Sequence, residues 1–301
     1  MKAIRVHNYG GPETLVLEEA SLPGINDEQV LVKINAASVN HIDKGIASGA
    51  MQQIFPVQLP WIPGEDFAGI IEKVGKNVTA YKQGDAVYGF STRGNAYAEY
   101  IAVKPEVIAK KPASISFQEA ASVPVAAVTA WQGVFTHGLL EKGQVILIHG
   151  GAGAVGAYAV QFAHQAGAKV IVTASSNDKA FLLSIGADKV IDYKNEKFET
   201  EVSNVDVVFD LVGGDTQQKS YGVIKQGGRL VTANQPPSKE EADKHKITAL
   251  MMDMEPLSKD LNNIAGLLDA GKIKLSTVKV YPLANAAEAW KAHGKAVLQV
   301  V

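Results

Sequence analysis

The feature that most constrains the fold of this chain is a glycine-rich turn between an apolar run and a helical segment. Residues 145–149 form a continuous β-rich run, and residues 155–165 have the spacing of a helix. Gly151 and Gly153 between them, with Gly156 at the start of the helical segment, form the pattern G-x-G-x-x-G. In this setting the first glycine permits a tight turn, the second lets the backbone approach a pyrophosphate, and the third lets the helix pack closely on the sheet. The pattern predicts a dinucleotide-binding turn, with a ligand-free strand–helix connection as the alternative. The predicted phosphate-binding residues are Gly151, Ala152, Gly153, Ala154, Val155 and Gly156.

The chain after residue 115 alternates apolar runs with helical segments. Apolar strands without polar alternation, separated by helices, indicate a parallel sheet covered on both faces. The polar stretch 235–245 is expected to be an exposed loop, with a mobile lid as the alternative. Further strands are predicted at 169–173, 189–192, 205–210 and 228–233, helices at 178–185 and 257–270, and a strand, a helix and a strand at 277–281, 286–292 and 296–301.

Before residue 115 the pattern is different. Short apolar segments at 30–34, 69–75, 85–90 and 97–103 alternate with polar turns. Closely spaced short strands of this kind are typical of an antiparallel, barrel-like β domain. At roughly 150 residues per domain, a chain of this length is expected to hold about two domains.

Composition narrows the classes of function. The 301 residues include 29 Lys and Arg against 31 Asp and Glu, a net charge of −2, which gives no electrostatic footprint for nucleic acid or an anionic membrane. The chain has no cysteine, which excludes disulfides, a cysteine nucleophile, an iron–sulfur cluster and cysteine-ligated zinc. The N-terminus lacks the apolar core of a signal peptide, and the most apolar stretch, 120–131, is shorter than the about 20 residues of a membrane span. We therefore expect a soluble, cytoplasmic protein.

The end of the second predicted strand of the parallel sheet determines which dinucleotide fits. Sites for NAD usually hold an acidic side chain there, which binds the ribose 2′-OH. Here the small hydroxyl residues Ser175 and Ser176 follow the strand, and Lys179 adds positive charge, so a 2′-phosphate has room and partners. Asp178 argues against this, although an acid there is also typical of a helix cap. We predict NADP as the cofactor, with NAD as the alternative.

Several motifs in fixed order resemble the medium-chain dehydrogenase/reductase superfamily. Besides the glycine-rich turn they are Ala-Ser-Val-Asn-His-Ile-Asp at 37–43, Ile-Pro-Gly-Glu-Asp-Phe-Ala-Gly at 62–69 and Val-Pro-Val-Ala-Ala-Val-Thr-Ala at 123–130. Over essentially its whole length the chain resembles the zinc-free quinone oxidoreductase branch related to zeta-crystallin. The resemblance implies an α/β protein with a discontinuous GroES-like, β-rich catalytic domain, 1–118 and 272–301, and a Rossmann domain with a doubly wound parallel sheet, 119–271. It also implies homodimers or homotetramers, commonly joined through the Rossmann sheet edges.

The resemblance also implies that both zinc sites of the superfamily are missing. Asn40 stands where zinc members have a cysteine and Glu65 where they have a histidine, and the cysteine expected near Pro124 is absent. Zinc members also have a structural lobe with four cysteines after the strand predicted at 85–90. In this chain only the short connection 91–95 separates that strand from the next. His41, Asp43 and Glu65 could in principle bind a metal, but a structural or hydrogen-bonding role is expected for them. A metal-free site favours substrates that are already good hydride acceptors, such as quinones and α,β-unsaturated carbonyl compounds.

The resemblance assigns roles to further residues. Asn40, Asp43 and Thr129 form the predicted catalytic set, with Asn40 and Thr129 placed at the nicotinamide. The alternatives are a turn asparagine for Asn40 and a hydroxyl bonded to its own helix for Thr129. The remaining predicted cofactor-binding residues are Leu211, Val212 and Gly213 beneath the nicotinamide ribose, Tyr193 near the adenosine 2′-phosphate, and Lys295 in the tail.

Two interpretations of function follow. The first is an NADPH-dependent oxidoreductase that transfers a hydride to a quinone or an α,β-unsaturated carbonyl compound without a metal. The second is an NADPH-binding structural or redox-sensing protein with little catalysis, because Gly45 and Ala47 replace a Tyr or Lys and an Arg found in many relatives. An alcohol dehydrogenase with a nonstandard metal site is a third, less favoured interpretation. Phe55 and Trp61 are expected either to rim the substrate cleft or to lie in the core.

Overall fold

The computed structural model describes residues 1–92 and 94–301, and the chain divides into two units. One unit is Met1–Val125 together with Pro256–Val301, and the other is Ala126–Glu255. The strands are β1 (Lys2–Val6), β2 (Leu15–Glu19), β3 (Val30–Ser38), β4 (Asp66–Val74), β5 (Ala86–Phe90), β6 (Tyr100–Val103), β7 (Ile108–Lys110), β8 (Val145–His149), β9 (Lys169–Ala174), β10 (Lys189–Asp192), β11 (Val205–Asp210), β12 (Ile224–Thr232), β13 (Thr248–Met251), β14 (Val278–Pro282) and β15 (Lys295–Gln299). The helices are α1 (His41–Ala47), α2 (Phe117–Ala121), α3 (Pro124–Trp131), α4 (Ala154–Gln165), α5 (Lys179–Ser184), α6 (Phe198–Glu201), α7 (Gly214–Ser220), α8 (Lys239–His245), α9 (Ser258–Asp269) and α10 (Ala286–Lys291).

The first unit is built on a largely antiparallel sheet. Its strands follow the order β14-β15-β3-β4-β5-β7, β6 also pairs with β3, and β1 and β2 form a separate two-stranded sheet. Apolar side chains of these strands, such as Val32, Ile34, Phe67 and Ile71, form its core. Trp61 is buried in this core and Phe55 packs against it, so both residues contribute to packing of the unit.

The C-terminal segment joins the first unit earlier than the sequence suggests. The Tyr88 hydroxyl donates to the carbonyl oxygen of Leu261 at 2.6 Å, and the Ser114 N–H donates to the Asp269 carboxylate at 3.0 Å. These bonds attach α9 to the first unit. The division therefore falls at 125/126 and 255/256, rather than at the expected 118/119 and 271/272.

The second unit contains a parallel sheet of six strands in the order β10-β9-β8-β11-β12-β13. This is the order of a doubly wound sheet, in which the direction of winding reverses between β8 and β11. The predicted α/β class, with a β-rich unit and a doubly wound parallel sheet, is confirmed.

The expected loop at 235–245 is wrong for its second half. Ser238 accepts a hydrogen bond from the Glu241 N–H at 3.2 Å and so caps α8, and Lys246, the residue after the helix, has a left-handed conformation. Four of the seven residues of α8 are exposed and only Ala242 is buried, so the helix offers no apolar periodicity for sequence reasoning to detect. The short edge strand β13 was not predicted. None of the helices described here is long and apolar enough to cross a membrane.

Candidate functional site

The glycine-rich turn lies at the carboxyl end of β8, the strand at which the sheet order reverses. Gly150 has a positive φ of 75°, and the Gly153 N–H donates to the Gly150 carbonyl oxygen at 3.1 Å, which closes the turn. Gly153 is the N-cap of the twelve-residue helix α4 and has no side chain to cap it. The first N–H groups of a helix lack partners within the helix and carry its positive dipole end. The exposed start of α4 can therefore bind an anion.

The three glycines of the motif are required for different reasons. A Cβ on Gly151 would lie 1.9 Å from Cγ1 of Val172, and one on Gly156 would lie 2.4 Å from the Gly150 carbonyl oxygen. These two glycines are therefore required by packing. A Cβ on Gly153 would meet only the Gly150 carbonyl oxygen, at 3.3 Å, and otherwise faces open space. A side chain there would fill the space above the helix start, so the turn fits the pyrophosphate of a dinucleotide.

A buried histidine connects the ends of neighbouring strands beneath this turn. Ser220 Oγ donates to the Thr216 carbonyl oxygen at 2.7 Å, so it must accept from His149 Nε2 at 3.0 Å. The Nδ1 atom of His149 then accepts from Thr173 Oγ1 at 2.9 Å. Burial lowers the pKa of His149 to about 4, against an opposing effect of the Asp210 carboxylate, so the ring is neutral near pH 7. Sequence reasoning missed this network because His149 lies in an apolar strand.

The loop after β11 lies beside the glycine-rich turn. The Asp210 carboxylate accepts from the N–H groups of Val212 at 2.9 Å and Gly213 at 3.0 Å, which fixes the predicted loop 211–213. A Cβ on Gly150 would lie 3.3 Å from Cγ2 of Val212 and 3.6 Å from Cβ of Leu211, so the two loops are in close proximity. Both follow the carboxyl ends of adjacent strands at the switch point, where doubly wound sheets bind their ligands.

Two of the residues predicted at the adenosine end, Ser175 and Tyr193, lie close together. Ser175 follows β9, and the Tyr193 N–H donates to the Ala174 carbonyl oxygen at 3.3 Å, which places Tyr193 beside it. The Tyr193 side chain is 61% exposed. Lys179 begins α5 and is exposed.

Sequence reasoning did not anticipate an acid beside this group. Hydrogen bonds from the Asn195 side chain, the Lys194 N–H and Ser176 keep the pKa of Asp192 below its usual value. The carboxylate accepts from Asn195 Nδ2 at 2.7 Å and from the Lys194 N–H at 3.2 Å. Asp192 is thus bonded within its own turn, and it also engages one of the two predicted serines, Ser176.

Asn40 lies in a polar cluster in the first unit. Its Nδ2 donates to Asp66 Oδ2 at 2.8 Å, and its Oδ1 accepts from the Lys295 ammonium at 2.7 Å. Asp66 also accepts from Ser38 Oγ and the Val125 N–H, both at 2.8 Å. The predicted residues Asn40 and Lys295 are thus in direct contact, and both also contact Asp66, an acid that sequence reasoning missed. The sequence does contain an indication of this role for Asp66. The residue stands at the start of an apolar run, so it is expected to be buried and to need hydrogen-bond partners.

Asp43 and Glu65 complete this cluster. Asp43 Oδ2 accepts from the Asn40 N–H at 2.8 Å and from the Tyr97 hydroxyl at 3.1 Å. Burial, with a smaller effect of Asp66, raises the pKa of Asp43 to about 7. Burial, followed by the charges of Asp43 and Asp66, raises the pKa of Glu65 to about 9. Glu65 is therefore a neutral carboxylic acid near pH 7.

The remaining catalytic candidate, Thr129, lies half-buried in the part of α3 that belongs to the second unit. Within residues 1–92 and 94–301, no group of three or more His, Asp or Glu side chains is arranged to hold a metal ion. The residues of the second unit fit a dinucleotide: the turn 151–156 offers N–H groups, the loop 211–213 adjoins it, and Ser175, Lys179 and Tyr193 lie at the end of β9.

Comparisons with known proteins match both parts of the chain. Residues 26–113 match the alcohol dehydrogenase GroES-like domain, and residues 185–297 match a family described as zinc-binding dehydrogenase. The 2-methylene-furan-3-one reductase of Solanum lycopersicum is 40% identical in an alignment of 242 residues that covers 77% of this chain and 61% of that protein. The chain thus spans less than two thirds of that relative.

Two further proteins match over nearly their whole length. The quinone oxidoreductase of Mus musculus is 32% identical over 310 residues, covering 96% of this chain and 92% of that protein. The solved structure of the Escherichia coli quinone oxidoreductase complexed with NADPH matches with a TM-score of 0.88 and 27% identity, covering 100% of both chains.

Proposed function

This chain belongs to the quinone oxidoreductase branch of the medium-chain dehydrogenase/reductase superfamily, and we propose that it is an NADPH-dependent reductase of quinones or α,β-unsaturated carbonyl compounds that works without a metal ion. The motifs of the sequence agree with membership of this branch. They also agree with a fold that has a GroES-like domain and a Rossmann domain. The named substrates of the relatives from tomato and mouse are both conjugated carbonyl compounds.

The observation that carries the proposal is the open face of Gly153 at the start of α4. Packing within the protein does not require glycine at position 153. A phosphate that approaches the backbone there does require it, because a side chain would occupy its place. The N–H groups of residues 151–156 would hold the pyrophosphate, and the loop 211–213 would lie beneath the nicotinamide ribose. Ser175, Ser176, Lys179 and Tyr193 would hold the 2′-phosphate. Bound NADPH supplies a hydride.

A conjugated acceptor allows hydride transfer without a metal ion, because the substrate itself accepts the electron pair. Reduction of a quinone or an enone places the transferred electron pair on the substrate oxygen, so the site needs a hydrogen-bond donor there. Asn40 offers a side-chain amide for this role, with Asp43 bonded to its backbone N–H at 2.8 Å. Thr129 is the proposed contact to the nicotinamide. The superfamily's zinc-ligand positions are occupied by Asn40 and Glu65, and the chain has no cysteine.

The test is a steady-state assay of NADPH oxidation with 1,4-naphthoquinone and with trans-2-hexenal, combined with a fluorescence titration of NADPH. Turnover of at least one acceptor above the uncatalysed rate is expected. Tight NADPH binding without turnover of either would overturn the proposal in favour of a binding or redox-sensing protein. The absence of cysteine makes the quinone assay cleaner, because no thiol can form quinone adducts.

A further inference from the structure

We propose that Lys295 and Asp66 are positioning residues that fix the orientation of the Asn40 amide, so that Asn40 offers an N–H donor, and not its oxygen, to the substrate. This inference deepens the proposed function and rests on it. It assigns the substrate group that Asn40 recognises: an oxygen that accepts a hydrogen bond, as in a ketone, an aldehyde or a quinone.

The orientation follows from the two partners of the amide. An ammonium only donates hydrogen bonds and a carboxylate only accepts them. The Lys295 ammonium lies 2.7 Å from one end of the amide, which must therefore be the oxygen. The Asp66 carboxylate lies 2.8 Å from the other end, which must be the nitrogen. A flipped amide would set two donors against each other at Lys295 and two acceptors at Asp66.

The partners themselves are held in place. Asp66 is fully buried and accepts from Ser38 Oγ and from the Val125 N–H, so both of its oxygens are engaged. The Lys295 side chain is only 9% exposed, and its ammonium also lies 3.5 Å from Asp66 Oδ2 and from the Val39 carbonyl oxygen. Neither group can turn to solvent without losing several bonds, so the frame around the amide is rigid.

One donor of the amide is left for a ligand. The Nδ2 group carries two N–H bonds, and Asp66 takes one of them. The other has no partner among the described residues, and Asn40 is half-buried, so a small molecule can reach it. An oxygen that gains negative charge during reduction becomes a better acceptor, so this bond strengthens as the reaction proceeds.

The test combines kinetics with an observation of the amide itself. Lys295→Met removes the donor, Lys295→Arg retains one, and Lys279→Met is the matched control on the exposed face of the neighbouring strand β14. Kinetics are measured with 1,4-naphthoquinone and trans-2-hexenal, and the melting temperature of every variant is recorded. The Asn40 side-chain 15N–1H pair, assigned with Asn40→Ala, is followed by NMR in the free protein.

We expect Lys295→Met to lower kcat/KM by about ten- to a hundredfold, the effect of one charge-assisted bond, and Lys295→Arg to restore most of it. In the Asn40→Ala background, Lys295→Met should cause no further loss, because the amide it orients is gone. Losses that multiply in the double variant would overturn the proposal.

The NMR arm is independent of turnover. Lys295→Met should shift the Asn40 pair, and Lys279→Met should not. An unchanged pair in Lys295→Met would overturn the proposal even if the enzyme is active. If the wild type reduces neither acceptor, the proposed function fails, whereas a shift confined to Lys295→Met would still support the orientation of the amide.

Discussion

At the scale of residues, the part of the buried cluster in the first unit that the structure describes contains three acids, Asp43, Glu65 and Asp66, and one cation, Lys295. The Lys295 ammonium lies 3.5 Å from Asp66 and lowers the pKa of Asp43, whereas the charges of Asp43 and Asp66 raise the pKa of Glu65. Three ionised carboxyl groups in a buried site would leave uncompensated charge at a large cost. The raised pKa of Glu65, about 9, relieves this, because Glu65 keeps its proton at neutral pH.

This proton makes the stability of the protein depend on pH in a defined direction. The pKa of Glu65 is 4.5 in the unfolded chain and about 9 in the folded one, so between these values the folded state binds more protons. Stability should therefore fall as pH rises through this window. Asp43, with a pKa of about 7, contributes chiefly below pH 7. We predict that the melting temperature of the wild type falls between pH 7 and pH 9, and falls less in Glu65→Gln.

The control for this prediction lies on the same strand. Glu72 is exposed in β4, so Glu72→Gln should keep the pH dependence of the wild type. Identical melting curves for wild type and Glu65→Gln across pH 7–9 would show that Glu65 does not hold a proton in the folded protein.

At the scale of elements, the start of α4 separates glycines required by packing from the glycine proposed to admit the cofactor. Gly153→Ala should fold, because its Cβ meets one atom at 3.3 Å and its φ of −69° suits alanine. We predict that it weakens NADPH binding by about ten- to a hundredfold, since bonds to a charged phosphate are displaced. The measurement is a fluorescence titration.

Substitutions of two other glycines serve as controls for Gly153→Ala. Gly151→Ala should lower the melting temperature strongly, because its Cβ would overlap Val172 at 1.9 Å. Gly266→Ala in α9, where no atom lies within 4 Å of the Cβ, should leave NADPH binding unchanged and stabilise by up to about 1 kcal/mol. Unchanged NADPH binding in Gly153→Ala would remove the turn from the cofactor site.

The residues that follow β9 are proposed to determine whether the protein prefers NADP or NAD. Ser175→Ala and Lys179→Met should raise the KM for NADPH several-fold more than the KM for NADH, since only NADPH carries the 2′-phosphate. Lys169→Met, at the opposite end of the same strand and also exposed, is the matched control. Equal effects on both cofactors would refute the 2′-phosphate assignment, and Asp192 beside Ser176 would then favour NAD.

The sequence predicts those elements whose pattern comes from burial. The bounds of β8, β10 and β11 agree with the predicted runs because strands covered on both faces are continuously apolar. Helix α8, which buries only Ala242, has no such pattern and was missed. Asn40 and Lys295 were found separately, but their contact spans 255 positions of the chain and depends on the pairing of β15 with β3, which no local pattern encodes.

At the scale of the whole molecule, we expect self-association through the parallel sheet. β13 is an edge strand, and its Met251 is 45% exposed. An unpaired edge with an exposed apolar side chain is a site for strand pairing between copies. Light scattering should give a mass that is a multiple of 31.9 kDa, and Met251→Lys should weaken the association. A monomeric wild type at micromolar concentration would contradict this.

The central claim is that hydride passes from NADPH to a conjugated acceptor without a metal. The most direct measurement is single-turnover oxidation of bound NADPH, deuterated in turn on each face of C4, by 1,4-naphthoquinone or trans-2-hexenal, with and without a chelator. We predict slower transfer with one deuterated form and the same rate in the presence of the chelator. Bound NADPH that neither acceptor oxidises, or a reaction that the chelator abolishes, would contradict the claim.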